Sequence, residues 1–195
     1  MRKDPLFTIA VLIFSSAAWA DSCVLKPPDS KFLDYHQGKG LRVIAGPYQF
    51  DLTERPDALL AFDGVMATYP EKEYISYQLI TDNSISETLS KFTTRRISAA
   101  KLDSYLYGLD NISDLNKADQ KLIDNMRSDL KINCQTQLTK YSIGPELEAI
   151  FQEKSASDAE YRILVFSGKS THLISVKGTL ERAKEILKSI KKRSF

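Results

Sequence analysis

The sequence predicts an α+β domain: a largely antiparallel sheet, helices packed on one face, and a C-terminal hairpin followed by an amphipathic helix. Three observations carry this. Aromatic and β-branched runs alternate at the period of a strand, between Leu41 and Leu52 and again from Tyr74 to Ile80. Capped helical patterns follow in the middle of the chain. From Tyr161 onward the chain reads as a hairpin and then a helix with one apolar stripe.

The first element is a leader. Arg2 and Lys3 precede a nearly all-apolar run from Leu6 to Phe14, small residues follow from Ser15 to Ala18, and Ala18-Trp19-Ala20 supplies an A-x-A cleavage pattern. A positive start, an apolar core of about 7 to 15 residues and small residues before the cut are the parts of a signal peptide. Residues 1–20 are therefore expected to be removed after Ala20, leaving a periplasmic or secreted chain that starts at Asp21. A membrane anchor needs about 20 apolar residues, and no stretch comes close, so no membrane span is expected in the mature chain. Cys23 lies where a lipoprotein is acylated. The Ala20-Asp21-Ser22 before it lacks the usual leucine and puts a charge where a small residue belongs, which argues against lipidation.

Taking Arg2, Lys3 and Asp4 off the formal charge of +2 leaves +1 on the mature chain. That balance provides no clustered positive surface for nucleic acid or an anionic membrane. Cys23 and Cys134 are the only cysteines, and in an exported chain an even count reads as one disulfide. It would close a loop of more than a hundred residues, for which the chain-entropy model gives at most ~4–5 kcal/mol. A metal site does not follow, because only His36 and His172 could join the cysteines and no ligand spacing exists. No cofactor is expected.

Residues 21–40, with Pro27-Pro28, Gly38 and Gly40 among charges, read as an irregular leader, and residues 41–195 as a single α+β domain. Leu41, Val43 and Ala45 alternate, Gly46-Pro47 breaks the rhythm, and Tyr48, Phe50 and Leu52 resume it in shifted phase, as a bulged strand does. Val65–Tyr69 and Tyr74–Ile80 are further strands, and Asp82-Asn83-Ser84 is a turn. Thr88–Ile97 fits a strand with Leu89, Thr93, Arg95 and Ile97 on one face, or a broken helix with Leu89 and Phe92 inward; the strand is preferred. Ser98 caps a helix through Tyr107 that buries Leu102, Tyr105 and Leu106 and stops at Gly108. Asn116 and Asp119 form a capping pair for a helix carrying Leu122, Ile123, Met126 and Leu130. Pro145 is expected to open a short helix with Leu147, Ile150 and Phe151. Tyr161–Phe166 and Thr171–Val176 are strands joined by Ser167-Gly168-Lys169-Ser170, and the last helix presents Leu180, Ala183, Ile186, Leu187 and Ile190.

The fragments that look like chemistry have plainer explanations. Gly168-Lys169-Ser170 mimics the end of a phosphate-binding loop, but Ile163 stands where that motif needs a glycine, and a strand follows where a helix should. A serine or cysteine hydrolase would have to use His36 or His172. No G-x-S-x-G elbow is present, and His172 alternates with Ile174 and Val176 as a structural residue would. Asp110 with Asp114, and Glu146 with Glu148, sit at caps or a helix start, where acids are favoured for local reasons. Lys188, Lys191, Lys192 and Arg193 complement the negative end of the last helix. Asn111-Ile112-Ser113 is a glycosylation sequon with meaning only in a eukaryotic source.

No catalytic, cofactor or metal residue is therefore expected. The reading that remains is an exported, non-catalytic domain that binds a protein partner in the cell envelope, of the inhibitor or toxin-immunity type. A small envelope hydrolase, or an apolar-ligand carrier using Tyr48, Phe50, Tyr74 and Tyr77, is the alternative.

Overall fold

The computed structural model describes residues 25–38, 40–61, 64–93, 97–143, 147–154 and 159–193. The expected signal peptide, its cleavage point at Ala20, and Cys23, Pro145 and Glu146 lie outside these. Fifteen elements are used below. The strands are β1 (Asp29–Leu33), β2 (Leu41–Ala45), β3 (Tyr48–Leu52), β4 (Ala58–Ala61), β5 (Gly64–Thr68), β6 (Tyr74–Ile80), β7 (Leu138–Ile143), β8 (Leu147–Gln152), β9 (Tyr161–Ser167), β10 (Ser170–Lys177) and β11 (Lys191–Lys192). The helices are α1 (Ser86–Leu89), α2 (Ala99–Leu106), α3 (Lys117–Asp129) and α4 (Leu180–Ser189).

Eight strands form one sheet in the order β1-β7-β8-β9-β10-β6-β5-β4, and three form a smaller sheet in the order β11-β3-β2. All pairs are antiparallel except β1 with β7. The α+β class and the mostly antiparallel sheet are as the sequence predicts. The helices, however, are divided between the two faces. Ala183, Ile186 and Leu187 of α4 and the Ile190 that follows it, with Val43, Ala45, Phe50 and Leu52 of the small sheet, pack on the face that carries Phe151, Ile163, Ile174 and Val176. Leu102, Tyr105, Leu106 and Ile123 of α2 and α3 pack on the opposite face, against Ile150 and Leu164. An apolar stripe requires that a helix be covered, but it does not say from which side of the sheet.

Local signals explain the helices well. The first three N–H groups of α2 are all satisfied: Ala99 by the Asp82 carboxylate at 2.8 Å, Ala100 by the Lys169 carbonyl at 3.1 Å, and Lys101 by the Ser98 hydroxyl at 3.2 Å. Gly108 ends the helix with a φ of +71°, a conformation that suits glycine. Asn116 caps α3 by accepting from Asp119 N–H at 3.0 Å, and Thr179 caps α4 by accepting from Arg182 N–H at 3.2 Å. Arg182 then ties α4 to the strands. Its guanidinium donates to Glu73 and Glu54 and lies 4.7 Å from the centre of the Tyr69 ring.

Five expectations are corrected. Gly46-Pro47 is the loop of a hairpin between β2 and β3, with Ala45 opposite Tyr48, so the phase shift marks a chain reversal and not a bulge. Within the expected irregular leader, Asp29–Leu33 is a strand; its side chains are almost all exposed, so pairing left no apolar alternation to read. Residues expected to form a helix after Pro145 form β8. Phe151 and Ala149 face one core and Ile150 the other, and a strand covered on both faces reads as continuous burial. In Thr88–Ile97 the helical alternative prevails: α1 ends at Leu89, and Leu89 and Phe92 pack against the second core. Residues 94–96 of that segment are outside the described ones. The hairpin loop between β9 and β10 is shorter than expected, Gly168-Lys169 alone, with Ser167 paired to Ser170.

Candidate protein-binding surface

The most distinctive surface lies where the two sheets end. β4 is the last strand of the large sheet and β2 the last of the small one. β4 is paired with β5, in the register Leu59 opposite Ala67 and Leu60 opposite Met66, and among the described residues no strand lies along its outer edge. Leu59 shares a row with Ala67 and Ile75, which face the α4 layer, while Leu60 projects to the other side. Neither layer reaches this far. Leu59 remains 52% exposed and Leu60 42%, so successive leucines on opposite faces of one edge strand both meet solvent.

The small sheet continues the apolar surface. On β2, Val43 and Ala45 are buried while Ile44 between them is 57% exposed. Leu41, at the start of β2, shares a groove of about 520 Å³ with Pro56, Ala58 and Leu59. Natural edge strands are commonly guarded by charge, proline or a bulge. The opposite edge, β1, follows that habit with Asp29 and Lys31, whereas Ala58-Leu59-Leu60-Ala61 has no such guard. Contiguous exposed apolar surface rimmed by polar residues, here Arg55 and Asp57, marks interaction sites. The sequence reading missed β4. Five consecutive apolar residues between Pro56-Asp57 and Gly64, Ala58 to Phe62, were the available signal, and they look like an ordinary loop unless exposure is known.

The residues singled out for chemistry are dispersed. His172 is 4% exposed on the α4 side of the sheet, with Tyr77 Oη 2.9 Å from its Nδ1 and Tyr48 packed edge-on at 4.7 Å. Burial holds its pKa below the ordinary histidine range. The imidazole is thus buried against two tyrosines. His36 is exposed beside α4, where its N–H donates to the Lys188 carbonyl at 3.0 Å; it lines a groove of about 710 Å³ with Asp34, Glu185 and Lys188. The two histidines are thus not brought together. Asp110 is paired with Lys101 at 2.9 Å and Glu148 with Lys140 at 2.7 Å.

Tyr48 and Phe50 belong to the buried core, and Tyr77 packs against it. Cys134 lies in the turn between α3 and β7. Among the described residues, no group of three or more His, Cys, Asp or Glu is placed to hold a metal ion, and no helix is long and apolar enough to cross a membrane. Comparison of the chain with protein-family models, with curated proteins and with solved structures gives no match.

A further buried acid lies in α2. Asp103 faces Thr171 on β10, on the side of the sheet opposite His172, and its Oδ2 has no hydrogen-bond partner among the described residues. Burial raises its pKa to about 6, with the Thr171 hydroxyl opposing the shift in part.

Proposed function

We propose that this chain is an exported domain that acts by binding a protein partner in the cell envelope, of the inhibitor or toxin-immunity type. Residues 1–20 direct export and are removed after Ala20, and the compartment is oxidising enough for Cys23 and Cys134 to pair. One observation carries the binding reading: the edge strands β2 and β4 leave Leu41, Ile44, Leu59 and Leu60 exposed, and Leu41 and Leu59 share one groove. Interfaces form where an apolar centre is ringed by polar residues, and Arg42, Arg55 and Asp57 supply such a ring here.

The test is comparative capture from envelope extract, using the mature protein from its native host and two variants. Ile44→Lys places a charge on the exposed side of β2 and should abolish capture of a discrete partner while leaving the circular dichroism spectrum unchanged. His36→Ala should capture that partner as the parent does. Turnover of an envelope substrate that vanishes in His36→Ala, with the variant still folded, would overturn the binding reading and install the hydrolase.

A further inference from the structure

We infer that His172 is an acid-sensitive latch on the β2–β3 hairpin: when its imidazole takes up a proton, the hairpin tip lifts from the large sheet and carries β2 with it. The consequence for docking rests on the function proposed above; the lifting does not.

Position decides which part of the fold the proton moves. β10 runs inside the eight-stranded sheet, between β9 and β6, and turns His172 toward the small sheet. There the ring meets Tyr48 of β3 edge-on at 4.7 Å, and the Tyr77 hydroxyl of β6 lies 2.9 Å from its Nδ1. Its Cε1 is 3.7 Å from where a Cβ on Gly46 would stand, in the turn that joins β2 to β3. Gly46 itself is exposed. On that side, one hairpin turn separates the buried imidazole from water.

Nothing around the ring favours a charge. Opposite His172 on the flanking strands stand Val165 of β9 and Leu79 of β6. Among the described residues, the titratable groups that face it are the phenols of Tyr48 and Tyr77, which are neutral in acid. Asp51 of β3 alternates to the face opposite Tyr48 and is paired with Arg42 at 3.1 Å. Arg162 of β9 belongs to the other face of the large sheet, in register with Ser175. The charges of the adjoining β11 segment are positive: Lys192 is opposite Tyr48, and Arg193 donates its N–H to the Pro47 carbonyl at 2.8 Å. An imidazolium here lacks a counter-ion and is stabilised only by water.

Of the two walls, the hairpin is the one that yields. β10 and β6 hydrogen-bond to strands on both sides, whereas among the described residues no strand of the small sheet bonds to the large one. The tip is held by side-chain packing and by the short β11, through Lys191, Lys192 and Arg193. Local opening there hydrates the ring without breaking the large sheet. The open form titrates at the ordinary histidine value of 6.5 and the closed form below it. Closure is therefore fully favoured above pH 6.5, and opening grows as pH falls below that value.

Hydrogen exchange on the mature protein tests the latch. Between about pH 7.5 and about pH 5.5, protection factors corrected for intrinsic rates should fall by up to about tenfold for β3 and Arg193, while those of α3 hold. In the parent, the His172 Cε1–H resonance should shift over the same pH range. His172→Gln removes the titration and should hold its protection throughout, and His36→Ala should respond as the parent does. Protection that ignores pH, a loss shared equally by α3, or an acid response that survives in His172→Gln would overturn the latch. Partner captured at the higher pH should elute from the parent at the lower one, and its retention there would overturn the consequence for docking. Capture of nothing at either pH counts against the proposed function, and the exchange result then decides the latch by itself.

Discussion

Asp29 lies directly opposite Thr139 in the one parallel strand pair of the sheet, β1 with β7. Parallel register carries upstream residues of both strands to the same end. Cys23 precedes Asp29 by six residues and Cys134 precedes Thr139 by five, so the register favours a bridge between them. The expected outcome is that native, exported protein contains no titratable thiol. Cys134→Ser should then lower unfolding stability by several kcal/mol, up to ~4–5 kcal/mol for so long a loop. Two free thiols in the oxidised protein would exclude the bridge.

Export makes a separate prediction about mass. Protein from the native host should begin at Asp21 and carry no lipid. An intact-mass measurement showing residues 1–20 retained, or a diacylglycerol adduct on Cys23, would refute the cleavage assigned after Ala20.

Asp103 should make the fold more stable in mild acid. Its pKa is raised from 3.8 to about 6, so the folded chain holds a proton that the unfolded chain releases. The cost of burying the ionised form is absent below pH 3.8, grows between 3.8 and about 6, and is complete above it. A shift of this size corresponds to about 3 kcal/mol. Asp103→Asn removes the charge, and chemical denaturation should find it more stable than the parent at pH 7 with the difference fading toward pH 4. An Asp103→Asn variant less stable at neutral pH would show that its carboxylate is satisfied in the fold.

His172 acts in the opposite sense, one residue from Thr171 but on the other side of β10. Its pKa lies below the ordinary 6.5, because burial disfavours the imidazolium. The unfolded chain therefore binds the proton more readily, and stability from this group is present above pH 6.5 and lost as pH falls through the depressed folded value. In Asp103→Asn, where the opposing carboxyl is gone, denaturation midpoints should decline as pH falls below 6.5. Midpoints that stay level there would mean that the imidazole has access to water.

Tyr77→Phe tests the hydrogen bond on which that histidine rests. Deleting the hydroxyl 2.9 Å from Nδ1 leaves a buried polar nitrogen without its partner, at an expected loss of about 1–3 kcal/mol in unfolding stability. A change within a few tenths of a kcal/mol would show that water replaces the hydroxyl.

Much of the fold could be read from residues because the information was local. The caps at Ser98 and Asn116, the stop at Gly108 and the stripe on α4 each arise from neighbours within a few positions, and each stands where the sequence puts it. The errors came where burial is set by distant chain. β8 is covered from both sides, so Leu147, Ile150 and Phe151 looked helical. β1 is held by its backbone against a strand more than a hundred residues away, so its side chains carry no pattern. The binding surface was illegible for the same reason: nothing in Ala58-Leu59-Leu60-Ala61 says whether a layer will cover it.

The sequence by itself determined the element types with strong local signals and the antiparallel hairpin near the C-terminus. Only the tertiary structure decided that the helices divide between two faces, that His172 and Asp103 are buried back to back across the sheet, and that the leucines of β4 are left in solvent. The physical reason is range. Caps, turns and periodicity act over one or two turns of chain, whereas exposure is a property of where every other element comes to rest.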